Sequence, residues 1–227
     1  MGTQNRNRRR LTTLAVATVG AFLLALAVAA AATVVYSNDF SSRSEASELR
    51  PESKSKRCDR SYASKPKALR VSVKGKTDCA FAPPVESDAD GADLTVTLDA
   101  KLPKGLPKSL RKTSYLSVGV RSGYTLRVFP GSKRYELIRR PTGGGSDFPA
   151  EGRDKKIGGV GDRNQIAISA QRAKIVAKVN GEVVARASDD DADQIAGRGV
   201  GVGVGSTKSS KRPVEATLSK VKVSVPG

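Results

Sequence analysis

The alternation of apolar and polar residues predicts antiparallel β-structure for most of this chain. From Ala68 onward, short segments place an apolar residue at every second position and end at turn residues, as strands with one buried face do. In the clearest segment, 93–102, the following Pro103 ends the strand because proline cannot donate to a neighbouring strand. We therefore expect one all-β domain. Its remaining segments are 68–73, 115–121, 124–129, 135–139, 165–170, 173–179, 182–187, 199–204 and 214–225.

Glycine positions sharpen this prediction at two points. Asn180 and Gly181 lie between two alternating segments and predict a two-residue hairpin, because both central residues of a type I′ turn need positive φ. In 199–204 glycine alternates with valine, so one face of that strand would be bare backbone that a neighbour or a ligand can approach closely. Residues Ser41–Lys67 are polar and lack periodicity, and we expect an irregular crossing loop there.

The first part of the chain has a membrane-targeting pattern. Residues 1–10 contain four arginines and no acidic residue, and the run from Leu11 to Tyr36 is uncharged. Such a run spans a bilayer, and the arginines place the N-terminus in the cytoplasm. We expect a cytoplasmic basic segment at 1–10, a single-pass transmembrane signal anchor at 11–35 and an extracellular domain at 36–227. The alternative is a signal peptide cleaved within its run of small residues, which would give a secreted protein.

The part of the chain predicted to be exported is strongly basic. The chain has 40 lysines and arginines and 22 acidic residues, and with the first ten residues left out the net charge is +14. Such a domain attracts polyanions, which outside a cell are anionic wall polymers, acidic glycans and anionic lipid headgroups. Nucleic acid fits the charge but not the compartment. The alternative is that the charge only keeps the surface soluble.

The composition excludes or weakens several kinds of catalytic and binding site. The chain has no histidine, which excludes Ser-His-Asp and Cys-His nucleophiles and histidine-ligated metals. Tryptophan is absent and aromatic residues make up 4% of the chain, which weakens a sugar site built on exposed aromatic faces.

The only two cysteines, Cys58 and Cys79, lie in the part predicted to be exported. An even number of cysteines in an oxidising compartment predicts one disulfide, and the alternative is two free thiols. The bridge would tie a polar loop to the hairpin that follows it.

Several segments follow a known family pattern in sequence and in order. They are Val34–Ser41 as an opening strand, 93–102, Ser117–Leu126 followed by 135–139, Gly161–Asn164 ahead of a strand, Val179–Gly181, and an apolar final strand. This series resembles the concanavalin A-like lectin/glucanase superfamily, in the laminin G-like branch that is common in exported bacterial proteins. The resemblance covers residues 34–227.

The resemblance implies an antiparallel two-sheet jelly-roll sandwich with adjacent first and last strands and a binding role. This sandwich would follow the N-terminal transmembrane or signal helix. The paired carboxylates of the glycosidase relatives, spaced E-x-D-x-x-E, do not occur in the chain. We therefore expect that the protein is not an enzyme.

One candidate binding site combines basic and aromatic residues from three consecutive strands. Its members are Arg121, Tyr124, Arg127, Tyr135 and Arg139. If these strands pair in order, the residues form a patch across one sheet face, and arginine there would bind carboxylate or phosphate groups. The alternative is a solvated outer face.

A second candidate is the acidic loop that contains Asp189, Asp191 and Asp193. Carboxylates close together can bind calcium, although the run lacks EF-hand spacing. These residues are weak calcium candidates, and the alternative is a solvated loop. We expect no other cofactor.

These observations predict an extracytoplasmic, non-catalytic, lectin-like domain that binds a glycan or an anionic cell-envelope polymer. One alternative is a carbohydrate-active hydrolase of the glycosidase or keto-sugar hydrolase type, which needs two carboxylates facing one groove. Another is a structural ectodomain that binds a protein partner, which would expose an apolar patch.

Overall fold

Strands dominate the structure, in agreement with the predicted all-β class. The computed structural model describes residues 32–53, 55–85, 93–141, 143–189 and 199–226. The short helices among them are α1 (Arg43–Glu48) and α2 (Lys108–Arg111), and a 3-10 turn covers Pro130–Ser132. The strands are β1 (Thr33–Asn38), β2 (Arg50–Pro51), β3 (Cys58–Ser64), β4 (Lys67–Val73), β5 (Thr77–Ala82), β6 (Leu94–Lys101), β7 (Ser114–Val120), β8 (Tyr124–Phe129), β9 (Arg134–Arg139), β10 (Asp147–Arg153), β11 (Asn164–Gln171), β12 (Lys174–Val179), β13 (Glu182–Ser188), β14 (Val200–Ser206) and β15 (Val214–Val225).

The strands form an eight-stranded and a seven-stranded antiparallel sheet. The eight-stranded sheet has the order β13-β12-β11-β6-β15-β4-β3, with β1 paired to β15 beside this path. The seven-stranded sheet has the order β10-β9-β8-β7-β14-β5-β2. Strand β15 has twelve residues, so its first half pairs with β4 and its second half pairs with β1. The first and last strands are therefore neighbours, as the family resemblance implies.

The core lies between the two sheets and takes alternate residues from each strand. On β6, Leu94, Val96 and Leu98 are buried, whereas the threonines between them are partly exposed. Burying one such apolar side chain contributes about 1.5–3 kcal/mol, which fixes the face that each strand turns inward. Polar residues are left on the two outer faces, where a ligand can reach them.

The glycines have the structural roles that the sequence predicted for them. Asn180 and Gly181 join β12 to β13 with φ values of 51° and 87°, which confirms the hairpin. On β14, Val202 is buried in the core and Gly201 lies on the opposite side of the strand. Gly201 is paired with Gly119 of β7, so the outer face of the seven-stranded sheet has no side chain at this point.

The prediction of an irregular loop at Ser41–Lys67 is wrong. The stretch contains α1, β2 and β3, and α1 is capped at its N-terminus by Ser42, whose hydroxyl accepts a hydrogen bond from the Glu45 N–H. Strand β3 shows no apolar alternation because Arg60 occupies one of its inward positions and donates to the Leu49 carbonyl. An edge strand with a hydrogen-bonded arginine at such a position gives no period-2 signal.

Cys58 and Cys79 form the predicted disulfide, with their Cα atoms 5.7 Å apart. Cys58 begins β3 at the edge of the eight-stranded sheet, and Cys79 lies on β5 of the seven-stranded sheet. The bridge therefore links the two sheets. It does not tie a loop to a hairpin, as the sequence suggested, because the chain between the cysteines crosses from one sheet to the other.

The sandwich begins at residue 33 rather than at residue 36. Residues 33–35, which fall in the predicted segment 11–35, are the first half of β1. The rest of that segment and the basic residues 1–10 lie outside the described residues. In the part of the chain that the structure describes, no helix has both the length and the apolar character needed to cross a membrane.

We expect the double variant C58S/C79S to be less stable than the wild type. The bridge restricts the unfolded chain across a sequence separation of 21 residues, and its loss is expected to lower the free energy of unfolding by about 3 kcal/mol. Urea unfolding followed by circular dichroism measures this difference. Ser64→Ala, at the exposed end of β3, is the control and should leave the midpoint unchanged. Equal midpoints for C58S/C79S and the wild type would contradict the expectation.

Candidate functional site

The five predicted site residues do not form one surface. Strands β8 and β9 pair so that Tyr124 lies opposite Arg139, and Tyr135 shares their core-facing side. Arg127 lies opposite Glu136 on the outer face of the same sheet. The prediction of a patch across one face is therefore wrong, because alternation within a strand does not show how neighbouring strands are aligned.

Arg121 is a buried structural residue. It lies in the turn between β7 and β8 with φ at 55°, and 1% of its surface is exposed. Its guanidinium group is 3.5 Å from the Asp93 carboxylate and donates a hydrogen bond of 2.5 Å to the Arg172 carbonyl. These contacts join the β7–β8 turn to the start of β6 and to the β11–β12 turn, so Arg121 holds one end of the sandwich together.

Asp189 is held by two of the predicted residues. The Tyr124 hydroxyl donates to the Asp189 carboxylate, and Arg139 Nε is 2.9 Å from the same carboxylate. Burial, together with this hydrogen bond, raises the pKa of Tyr124 above its ordinary value of 10.0. The Asp189 charge is thus neutralised within the fold. The calcium prediction stays a prediction for Asp191 and Asp193, which lie outside the described residues.

A groove of about 360 Å³ lies on the outer face of the seven-stranded sheet, over β5, β14 and β7. Its floor is the backbone of Gly119 and Gly201, which pair across β7 and β14. Carboxylate, hydroxyl and guanidinium groups surround this floor. They belong to Glu52, Asp78, Ser117, Ser122, Thr125 and Arg140.

The glycine floor is required for the position of Glu52. A Cβ atom on Gly201 would lie 2.8 Å from Glu52 Oε1, and one on Gly119 would lie 3.2 Å from the Tyr124 carbonyl oxygen. A larger residue at position 201 would displace Glu52 and fill part of the groove. The alternation of glycine and valine in β14 thus has a double role, because valine fills the core and glycine opens the outer face.

Two carboxyl groups of raised pKa face the groove. Asp78 on β5 is 3.9 Å from the Arg127 guanidinium, and its Oδ1 atom is buried without a hydrogen-bond partner among the described residues. Burial raises the pKa of Asp78, while Arg127 and Arg140 act in the opposite direction. Burial also raises the pKa of Glu52, and the nearby Asp78 charge adds to this effect. About a third of the Asp78 side chain is exposed, so a ligand can reach its carboxylate at Oδ2, the oxygen nearer to Arg127.

The aromatic rings beside the groove are covered by arginines. Tyr115 and Phe129 project from the outer face with ring centroids 5.3 Å apart. The Arg127 guanidinium lies 4.6 Å from the centroid of Tyr115, and that of Arg134 lies 4.1 Å from the centroid of Phe129. Both rings are at most 2% exposed, so a sugar ring has no face to stack on. A sugar in this groove would therefore depend on hydrogen bonds and not on stacking against these two rings.

Only two of the five predicted residues adjoin the groove. Arg127 pairs with Asp78 at its edge. Tyr124, whose side chain faces the core, adjoins the groove through its backbone carbonyl. Sequence reasoning did not identify Glu52 or Asp78. The signal that did indicate the site was the glycine–valine alternation of 199–204, which predicted a bare strand face open to close approach.

No protein-family model matches the chain, and no curated protein matches it in sequence. Solved structures do match it in fold. The carbohydrate-binding module CBM66 from Bacillus subtilis has a TM-score of 0.54 and 14% identity, covering 74% of this chain and 91% of that one. A Bacillus subtilis protein of unknown function with a galectin-like fold has a TM-score of 0.57 and 14% identity, covering 86% and 98%.

A third similar structure is an enzyme. The glycoside hydrolase family 16 endo-glucanase from Bacteroides ovatus has a TM-score of 0.58 and 6% identity, covering 83% of this chain and 99% of that one. Identities this low establish the fold alone. The chain has the jelly-roll fold of concanavalin A-like lectins and glucanases, as the sequence resemblance implied. Its place in the laminin G-like branch stays a prediction.

We expect Asp78→Asn to stabilise the fold at neutral pH. Because the pKa of Asp78 is raised in the folded state, folding disfavours its ionised form. This cost is absent below the ordinary pKa of 3.8, grows as the pH rises through the raised pKa and is complete above it. The Tm of the variant should exceed that of the wild type at about pH 7, and the difference should shrink toward about pH 3.

Thermal unfolding of wild type, D78N and the control Glu215→Gln measures this difference. Glu215 is an exposed carboxylate on the outer face of the other sheet, and its replacement should leave the Tm unchanged at about pH 7. A lower Tm for D78N than for the wild type at that pH would show that the Arg127 contact outweighs the cost of burial.

Proposed function

We propose that this chain is a non-catalytic glycan-binding module and that its groove holds the glycan. The observation that carries the proposal is the backbone floor at Gly119 and Gly201, surrounded by carboxylate, hydroxyl and guanidinium groups. Carboxylates accept hydrogen bonds from sugar hydroxyls, and the Arg140 guanidinium donates to sugar oxygens. The shared fold with the carbohydrate-binding module CBM66 supports the proposal.

The ligand of the groove is an uncharged glycan in this proposal, not the anionic polymer expected from the net charge. Glu52 and Asp78 would repel a phosphate or uronic acid group. Arg127 and Arg140 oppose these two charges, so the groove as a whole is close to neutral. A neutral sugar brings hydroxyl groups that donate to both carboxylates, and the glycine floor lets the edge of its ring approach the backbone.

We place the module outside the cell membrane, either anchored or secreted. The support is the uncharged run at 11–35, which follows four arginines and has the pattern of a signal anchor or a signal peptide. The disulfide between Cys58 and Cys79 suits the oxidising compartment that export would provide.

Glu52→Gln and Asp78→Asn should each weaken glycan binding. Each exchange leaves an amide oxygen that still accepts, so a charge-assisted hydrogen bond becomes a neutral one; the loss of about 1–1.5 kcal/mol corresponds to roughly 5- to 10-fold in Kd. A panel of neutral and acidic glycans at about 0.15 M salt identifies the ligand. Calorimetry then gives the Kd of the wild type and of each variant.

Glu215→Gln is the matched control and should bind as the wild type does. Because D78N is expected to stabilise the fold, weaker binding by this variant would report a lost contact and not unfolding. Unchanged affinity in both E52Q and D78N would exclude the groove as the glycan site. Failure of every glycan to bind would contradict the proposed function itself.

Glycoside hydrolysis is a second candidate function, and one observation favours it. Glu52 and Asp78 face one groove, and both have a raised pKa. Glycosidases use such a pair, with one carboxyl group kept protonated as the general acid. The two residues come from β5 and from the segment after β2, unlike the single-strand pattern of the glycosidase relatives.

We expect the bound glycan to be recovered intact after incubation with the wild type. Reducing ends released over time measure hydrolysis directly, and D78N serves as the comparison. An increase in reducing ends that is present with the wild type and absent with D78N would replace the binding proposal with the hydrolase.

The protein-docking alternative has less support, because the large apolar residues exposed among the described residues are spread over β1, β10 and β13.

A further inference from the structure

The outer face of the eight-stranded sheet carries two rows of lysines. Lys174 and Lys178 project from β12, and Lys220 and Lys222 project from β15. The residues that alternate with them are buried in the core, so the lysines face outward. The buried residues are Ile175, Ala177, Val179, Val221 and Val223.

Strand register places one lysine of each row, Lys178 and Lys222, on either side of a floor of short side chains, and Lys174 and Lys220 extend the charge toward opposite ends of the strands. Lys178 lies opposite Ala167 of β11, and Ala167 lies opposite Thr97 of β6. Thr97 in turn lies opposite Lys222 of β15. Three strand spacings of about 4.8 Å separate the rows by roughly 14 Å. We call the four lysines and this floor the lysine track, and the floor residues are Thr95, Thr97, Ala167 and Ser169.

The positive charge of the lysine track is not compensated. None of its four lysines has an ion-pair partner among the described residues. Asp99 on the outward side of β6 lies opposite Lys220, but its carboxylate is buried and paired with Arg163. Two exposed basic residues, Lys101 on β6 and Arg186 on β13, extend the same charge beyond the rows. The surface therefore attracts anions over about a Debye length, roughly 10 Å at 0.1 M salt.

We propose that the lysine track binds a linear polyanion, a polymer with a phosphate or carboxylate group on successive units, which lies along β6 and β11. Lysines on both sides contact the anionic groups, and the short floor side chains leave room for the polymer backbone. A bilayer surface fits less well, because the floor between the rows carries only threonine, alanine and serine. The apolar side chains beside Lys178 are the two valines Val176 and Val183, and neither is large enough to insert into a membrane. The track lies on the opposite sheet from the groove, so this inference does not depend on the proposed glycan site.

The test measures binding of long-chain inorganic polyphosphate to the full chain purified in detergent. The track variant changes all four lysines to glutamine. The matched control changes four other exposed lysines, so that both variants have the same net charge. These are Lys56, Lys108, Lys112 and Lys208.

At about 50 mM salt the track variant should bind at least about ten-fold more weakly than the control, and its affinity should fall less steeply with salt because fewer counterions are released. Circular dichroism shows whether each variant is folded. The track variant should keep the glycan affinity of the wild type, and E52Q should keep the polyphosphate affinity of the wild type.

Equal weakening of polyphosphate binding in the track variant and in the control would mean that binding follows net charge, and it would overturn the proposal. Loss of binding to anionic lipid vesicles in the track variant, with polyphosphate binding unchanged, would overturn the choice of a polymer.

Discussion

The packing of the two sheets against each other determines where every other side chain of the domain can lie. Each strand must turn its apolar residues inward, so the alternate residues are left on an outer face. On β14 this rule has an unusual result, because the inward residues are valines and the outward residues are glycines. The same strand that fills the core therefore creates the groove.

The groove combines features that cost stability. Asp78 has a buried oxygen atom without a hydrogen-bond partner among the described residues, and its pKa is raised by burial. A residue selected only for folding at this position would be neutral. Tyr115 and Phe129 show the opposite arrangement, because an arginine side chain of the same sheet packs on each ring and leaves neither ring exposed. The stability cost of the Asp78 carboxylate is therefore not explained by the packing of this face, whereas the two rings are.

The sequence predicted those strands whose two faces differ strongly in polarity. It missed the short strands β2 and β5. It also missed β3, where Arg60 is turned inward, and β10, an edge strand that contains Pro149 and a register shift. It could not predict which strands are neighbours. Glu52 and Asp78 reach the groove because β2, β5 and β14 lie side by side, and the same missing knowledge of register placed Arg127 and Arg139 wrongly on one face. The lysines of β12 and β15 are visible in the sequence, but their alignment across β6 and β11 is not.

The two outer faces of the sandwich point in opposite directions and differ in chemistry. One carries a nearly neutral groove lined by hydrogen-bonding groups, and the other carries exposed lysines. Sheets in such a sandwich pack about 10 Å apart, so two polymers held on the outer faces would be separated by roughly 20 Å of rigid protein. If both proposals hold, a molecule of this shape would act as a cross-link, because it would fasten a sugar chain to a charged chain at a fixed spacing without either one touching the other.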